Sequence, residues 1–222
     1  ILSGLVGSEM CIRDSIKAIL KMPEVSERFR TAHGREWNQN DVAIMYQSFE
    51  KHLFASLQDF TTPVPGVIET MEQLRREGIR IGSTTGYTDA MMKIVQPGAA
   101  AQGYTVDCLV TPDHLPAGRP APYMIYRNMT ELAIPSVDEV VKVGDTIADI
   151  REGLNAKVCS VGVITGSNEL GLTEEEYKTM PEPELYTLKQ EVRERMMAAG
   201  AHYVLDNIRE LPDLIHNLMN KK

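Results

Sequence analysis

The chain has 222 residues, 43% of them hydrophobic, and a formal net charge of −8. That is length and apolar content enough for one large domain or two unequal ones. The negative sign argues against a nucleic-acid partner and leaves an anionic substrate in need of local cations or a metal. Three cysteines, Cys11, Cys108 and Cys159, and five histidines that do not cluster support neither a disulfide framework nor a zinc site; a reducing cytoplasm fits that usage. No run reaches the roughly 18 apolar residues of a membrane span, and the first ten residues lack the basic start of a secretory signal.

In chain order, the sequence opens on Ile rather than Met, and Ile1 to Ser15 show no period. The run Val6-Gly7-Ser8-Glu9-Met10-Cys11-Ile12-Arg13-Asp14-Ser15 resembles a translated sequencing adapter, so residues 1–15 read as a non-native or disordered N-terminal run on a fragment. From Ile16 to Phe60 the apolar positions Ile16, Ile19, Leu20, Val42, Met45, Tyr46, Phe49, Leu53 and Phe54 fall at three-to-four spacing, which predicts a small helical module over 16–60. Pro23 should interrupt its first helix, His33 and Gly34 form a polar break, and Asn40 or Asp41 can cap the helix that follows. Trp37 reads as a packing anchor, and Lys17 and Lys21 as solvated charge on a helix edge.

Thr61-Thr62-Pro63-Val64-Pro65-Gly66 is a Pro/Gly hinge, and a second domain over 61–222 begins there. Its pattern alternates. A helix from Val67 to Glu77 leads into a strand at Ile79 to Ser83, and a helix from Asp89 to Val95 follows; further apolar stretches lie at Cys108 to Val110, Tyr123 to Leu132, Val140 to Val143, Ile147 to Leu154, Cys159 to Val163 and Tyr203 to Leu205. Strands alternating with helices predict an α/β fold, a parallel sheet with right-handed crossovers. Gly171 to Ala199 is acidic and helical, opened by a capping box of Thr173 and Glu176 that gives its acids no chemistry.

Three constellations fall at strand ends. In Val140-Val141-Lys142-Val143-Gly144-Asp145-Thr146-Ile147-Ala148-Asp149 a buried strand closes in two acids four residues apart. The carboxyl edge of an open α/β sheet is where ligands bind, and Asp145 there offers hard oxygen to Mg²⁺. The same residues also read as a turn that caps the next helix. Ile81-Gly82-Ser83-Thr84-Thr85-Gly86-Tyr87-Thr88 ends a strand in hydroxyls and glycines, either a phosphate cradle or an ordinary turn. Arg119, fixed by the proline after it, is either a bidentate phosphate clamp or a surface charge.

In chain order, hydroxyl loop, basic residue and Asp pair resemble the second, third and fourth motifs of the haloacid dehalogenase superfamily. Gly82-Ser83-Thr84-Thr85-Gly86-Tyr87-Thr88, Val110-Thr111-Pro112-Asp113, Pro116-Ala117-Gly118-Arg119-Pro120 and Gly166-Ser167-Asn168-Glu169-Leu170-Gly171-Leu172-Thr173-Glu174-Glu175-Glu176 are similar to the phosphonoacetaldehyde hydrolase family within it. The resemblance implies a Rossmann-like parallel core with a small α-helical cap, Mg²⁺ as cofactor, and cleavage of a carbon–phosphorus bond to give acetaldehyde and phosphate. It implies Asp145 as metal ligand, Thr85, Gly86 and Arg119 as phosphate donors, and Thr85, Arg119 and Asp149 as the catalytic residues, with Asp149 positioning Arg119 or the metal's waters. A homodimer through the cap is also implied, and the apolar face around Met45, Phe49 and Leu53 leaves room for it, though packing within the cap is the rival use.

The chain departs from that family in two places. No strand of the form Asp-x-Ala-Gly-Thr-Thr, which carries the nucleophile, occurs in it, and the expected place of the Schiff-base Lys coincides with Ile12. The family's sheet lacks its first, central strand here, between the strands ending in Ser83 and Val143, so two unpaired edges are expected and the 222-residue chain should not turn over. A phosphatase or phosphomutase of the same superfamily, or a non-catalytic phosphate-binding module, are the alternatives.

Overall fold

The structure, a computed structural model, describes residues 16–220; the adapter-like run, with Cys11 and Ile12, lies outside the described residues. Residues 16–20 are helical, and helix α1 (Pro23–His33) starts afresh on Pro23, whose missing N–H costs nothing in a first turn. Gly34, at φ 66°, closes α1 with its N–H on the Arg30 carbonyl. Helix α2 (Gln39–Ser56) is capped neither by Asn40 nor by Asp41 but by Asn38, whose side chain accepts both their N–H groups, with Asp41 returning to the Asn38 N–H. Asp41 serves the box as its third residue, because only the residue before the helix has the extended backbone a cap needs. Leu20, Phe29 and Val42 form the centre of this module, with Trp37 and Met45 packed against them. Leu53 and Phe54 pack instead with Leu57 onto Tyr87, Met91, Met92 and Val95. Two of the three residues on the suspected dimer face are thus occupied inside the chain.

Beyond the hinge the elements are α3 (Val67–Arg76), β1 (Gly82–Thr84), α4 (Asp89–Ala101), β2 (Cys108–Val110), α5 (Tyr123–Glu131), β3 (Val141–Gly144), α6 (Ile147–Asn155), β4 (Cys159–Val163), α7 (Glu174–Thr179), α8 (Glu182–Ala198), β5 (Tyr203–Leu205) and α9 (Leu211–Met219). The α/β class is as the sequence predicts. Three differences exceed a single residue. Strand β1 starts at Gly82 rather than Ile79. Helix α4 continues past Val95 through Pro97 to Ala101, because Val95 and Ala99 are buried and that burial outweighs the backbone bond Pro97 cannot make. The acidic region is two helices rather than one, broken at Met180 and Pro181.

Every strand pairing is parallel, but the strands form two sheets, β1–β2 and β3–β4–β5, with no ladder between β1 and β3 among the described residues. The interruption falls where the absent central strand was expected. One face of both sheets shares a single apolar cluster: Val67, Met71 and Leu74 of α3, Val161 and Val163 of β4, and Leu211 of α9, with Ile79, Ile81, Val141 and Val143 against them. Because side chains alternate along a strand, Lys142 and Gly144 face the other way, toward α6. There Ile150 of α6 is buried with Val192 and Met196 of α8. No helix among the described residues is long and apolar enough to cross a membrane.

Ile150 is fully buried, whereas Phe60 is 66% exposed. Urea unfolding should therefore show Ile150→Ala losing about 3 kcal/mol, while Phe60→Ala stays within about 0.5 kcal/mol of the parent.

Candidate active site

Each strand delivers a hydroxyl or an acid just past its carboxyl end: Thr85 after β1, Thr111 after β2, Asp145 after β3, Thr165 after β4 and Asp206 after β5. This edge is the ligand-binding edge of an open parallel sheet. After β1, the Thr85 N–H donates to the Val110 carbonyl at 3.2 Å, and its buried hydroxyl accepts the Tyr87 N–H at 3.0 Å. The hydroxyl accepts there, so its own proton is free for another oxygen. Gly86 lies inside this turn, and Thr88 caps α4 through the Met91 N–H at 3.3 Å. After β2, Thr111 donates to Asp89 at 2.5 Å and Asp113 accepts the Asp89 N–H at 2.7 Å, a purely structural start to α4.

After β3 the capping reading is realised, and Asp145 is left outside the cap. Thr146 caps α6, accepting the Asp149 N–H at 3.2 Å and donating to Asp149 Oδ2 at 2.6 Å. Asp145 takes no part in that cap. It is 4% exposed, and its one hydrogen bond among the described residues comes from the Asn168 N–H, at 3.2 Å to Oδ2. Burial, and then the neighbouring charge of Asp149, push its carboxyl above the usual carboxylate range; the Asn168 amide and Arg119 offset this only in part. Gly144 makes the approach of the two acids possible, since a Cβ there would lie 2.2 Å from the Asp149 Cβ.

Arg119 is not a surface charge. It follows β2 in a loop whose Arg119–Pro120 peptide is cis, and its side chain is 18% exposed. Nη2 donates to the Thr84 carbonyl at 2.7 Å and Nη1 pairs with Asp149 Oδ1 at 2.9 Å. The structure thus brings Arg119, Asp145 and Asp149 together; Thr85 and Gly86 join them through Thr84 next door rather than by direct contact with the acids. Burial alone would raise the Asp149 carboxyl, yet Lys142, Arg119 and the Thr146 hydroxyl hold it at about 2.

Two residues that the motifs do not single out complete the cluster. Lys142 Nζ donates to Thr84 Oγ1 at 2.7 Å and pairs with Glu152 Oε2 at 2.7 Å and Asp149 Oδ1 at 3.0 Å. Glu152 is fully buried, and Oε2 also accepts the Thr84 hydroxyl at 3.1 Å and faces Arg119 Nε at 3.5 Å. A signal for both exists in the sequence. A lysine inside a β-branched buried strand requires a buried acid, and Glu152 lies one helical turn beyond Asp149 on the same face of α6.

The two acids predict opposite responses to pH. Asp149, held at about 2 against an ordinary 3.8, contributes stability that is fully present above pH 4 and lost as pH falls toward 2. Asp149→Asn should cost about 3 kcal/mol at pH 7, because it leaves Lys142 and Arg119 short of an acid. The ionised form of Asp145 costs stability that accrues as pH rises from its ordinary 3.8 toward its raised folded value, so Asp145→Asn should raise the thermal midpoint at pH 7 by a few degrees, a gain that vanishes below pH 4. Gly144→Ala, which drives a methyl into Asp149, should cost about 3 kcal/mol. Thermal melts from pH 3 to 8 check all three.

A family model for haloacid dehalogenase-like hydrolases matches residues 13–157. A phosphonoacetaldehyde hydrolase of Parabacteroides distasonis is 69% identical over 208 residues, covering 94% of this chain and 79% of that protein. One of Bacillus cereus is 45% identical over 205 residues, covering 92% of this chain and 78% of that protein. Among solved structures, a phosphonoacetaldehyde hydrolase-like protein from Oleispira antarctica superposes with a TM-score of 0.85 at 30% identity, covering 97% of this chain and 78% of that one. The chain belongs to the phosphonoacetaldehyde hydrolases of the haloacid dehalogenase-like hydrolase family.

Proposed function

We propose that this chain forms the phosphate-binding part of an enzyme that hydrolyses the carbon–phosphorus bond of phosphonoacetaldehyde to acetaldehyde and phosphate. One observation carries the reading. In a chain 69% identical to an enzyme of that name, a buried Asp145 with a single hydrogen bond among the described residues stands at the strand edge beside an Arg119–Asp149 ion pair. Thr85 and Gly86 donate to the phosphonate oxygens, and Arg119 clamps them while Asp149 fixes the guanidinium.

The donor set suits Mg²⁺, which takes one or two carboxylates and completes its shell with water and substrate phosphate. Asp145 is one such carboxylate, with lone pairs to spare and a charge that burial disfavours. Among the described residues no group of three or more His, Cys, Asp or Glu side chains is placed to hold a metal on its own, and a Mg²⁺ on Asp145 would draw further oxygens from outside this cluster. When bound, Mg²⁺ offsets the negative charge on the phosphoryl oxygens. What Asp145 does is present oxygen to it; Asp149, tied to Lys142 and Arg119, is the orienting acid.

No Asp-x-Ala-Gly-Thr-Thr segment lies within these 222 residues. The 222-residue chain should therefore bind inorganic phosphate with Mg²⁺ but release no acetaldehyde from phosphonoacetaldehyde. Asp145→Asn should abolish the rise in thermal midpoint that Mg²⁺ gives the parent, and Arg119→Ala should weaken phosphate by about tenfold or more. A chimera joining residues 16–222 to the part of the Parabacteroides distasonis enzyme that this chain does not match should release acetaldehyde and be labelled by borohydride with substrate present. Turnover by the 222-residue chain refutes the inactivity; a chimera that hydrolyses phosphate monoesters but releases no acetaldehyde and takes no borohydride label points to an ordinary phosphatase.

A further inference from the structure

We infer that Glu152, held in place by Lys142, is a positioning residue for Arg119: it sets where the guanidinium presents its free N–H groups to an anion. The inference rests on the reading of Arg119 as a phosphate clamp. Its starting point is a pair of unmade bonds. Arg119 Nε and Glu152 Oε1 are both buried without a hydrogen-bond partner among the described residues, yet they belong to side chains that face each other, Nε lying 3.5 Å from Oε2. Buried polar groups without partners are rare and call for a reason.

The reason is slack. Glu152 Oε2 is already engaged by Lys142 and the Thr84 hydroxyl, so it cannot turn toward Arg119 without releasing them. Oε1 is uncommitted. A small turn of the guanidinium, of the size that accompanies the seating of an anion on its outer N–H groups, brings Nε to Oε1 and closes both vacancies at once. Anion binding and the Nε–Oε1 bond then favour each other. Lys142 is required for this arrangement because it neutralises Glu152 and pins Oε2, leaving Oε1 uncommitted. With Arg119, Lys142, Asp149 and Glu152 the cluster holds two positive and two negative side chains, so Arg119 keeps its attraction for an anion.

A purely structural role for Glu152, as the counter-charge of a buried lysine, makes the opposite prediction. Removing a negative charge close to Arg119 would by Coulomb's law tighten anion binding, whereas loss of positioning weakens it. The test uses the 222-residue chain, inorganic phosphate and ¹⁵N-labelled arginine. Glu152→Gln keeps the volume; Lys142→Met with Glu152→Gln keeps the cluster neutral should the single variant fail to fold. Calorimetry is expected to show phosphate weakened about tenfold, the order typical of partners that orient a site's ligands. The Arg119 Nε–H resonance should shift and exchange faster in the folded variant, and in the parent it should become more protected when phosphate is added. An unmoved Arg119 resonance, or phosphate affinity unchanged or tightened in a folded variant, overturns the inference. If the parent binds no phosphate, the clamp reading fails, and the Arg119 resonance alone decides whether Glu152 positions it.

Discussion

The structure depends on a bundle of charge buried where two sheets fail to meet. Strands β1 and β3 share no ladder, and on one face apolar packing spans them among the described residues. On the other face the connection is polar and specific: Thr84 of β1 meets Lys142 of β3 and Glu152 of α6, while Arg119 ties the Thr84 carbonyl to Asp149. Apolar packing tolerates sliding, but these bonds do not, so the polar crossing fixes how the hydroxyl loop after β1 stands against the acids after β3. Each buried ion costs several kcal/mol in desolvation. The arrangement persists because two cations meet two anions, with Thr84 serving both signs through one hydroxyl and one carbonyl.

Two glycines let α6 lie close enough to take part. A Cβ on Gly144 would collide with Asp149, and one on Gly153 would lie 2.8 Å from Ser160 Oγ and 3.1 Å from the Lys142 Cβ. With side chains at these positions the helix would lift off β3 and β4, and Asp149 and Glu152 would no longer reach Lys142. Small residues here act on electrostatics by setting a distance.

The elements were legible because they are written in short-range chemistry: three-to-four spacing before the hinge, β-branched runs after it, and caps such as Thr173 and Glu176, which form the expected box. Helix α4 runs past the end its sequence suggests, because a proline inside a helix is outweighed only by burial, which local sequence does not display. Asp145, Asp149 and Arg119 could be singled out because they sit beside glycine and proline in compact motifs. Lys142 and Glu152 leave a fainter signal, a lysine in a buried strand and an acid one turn beyond Asp149, because each also has an ordinary local explanation: one a break in a strand, the other a charge on a helix. Their bonds to Thr84, 58 and 68 residues away, lie beyond the reach of any short motif.

The same cluster explains why adjacent acids on one turn behave so differently. Asp149 faces Lys142 and Arg119 and stays ionised well below the usual range; Asp145 faces the backbone amide of Asn168 and the charge of Asp149, and its ionisation is opposed. Environments that push two carboxyls apart assign them different tasks. Asp149 is satisfied by protein cations and is suited to holding Arg119. Among the described residues Asp145 has no ion pair, while the four charges behind it pair with one another. That contrast is what supports the proposed assignment of Asp145, rather than Asp149, to a cation arriving on the ligand side of the sheet edge.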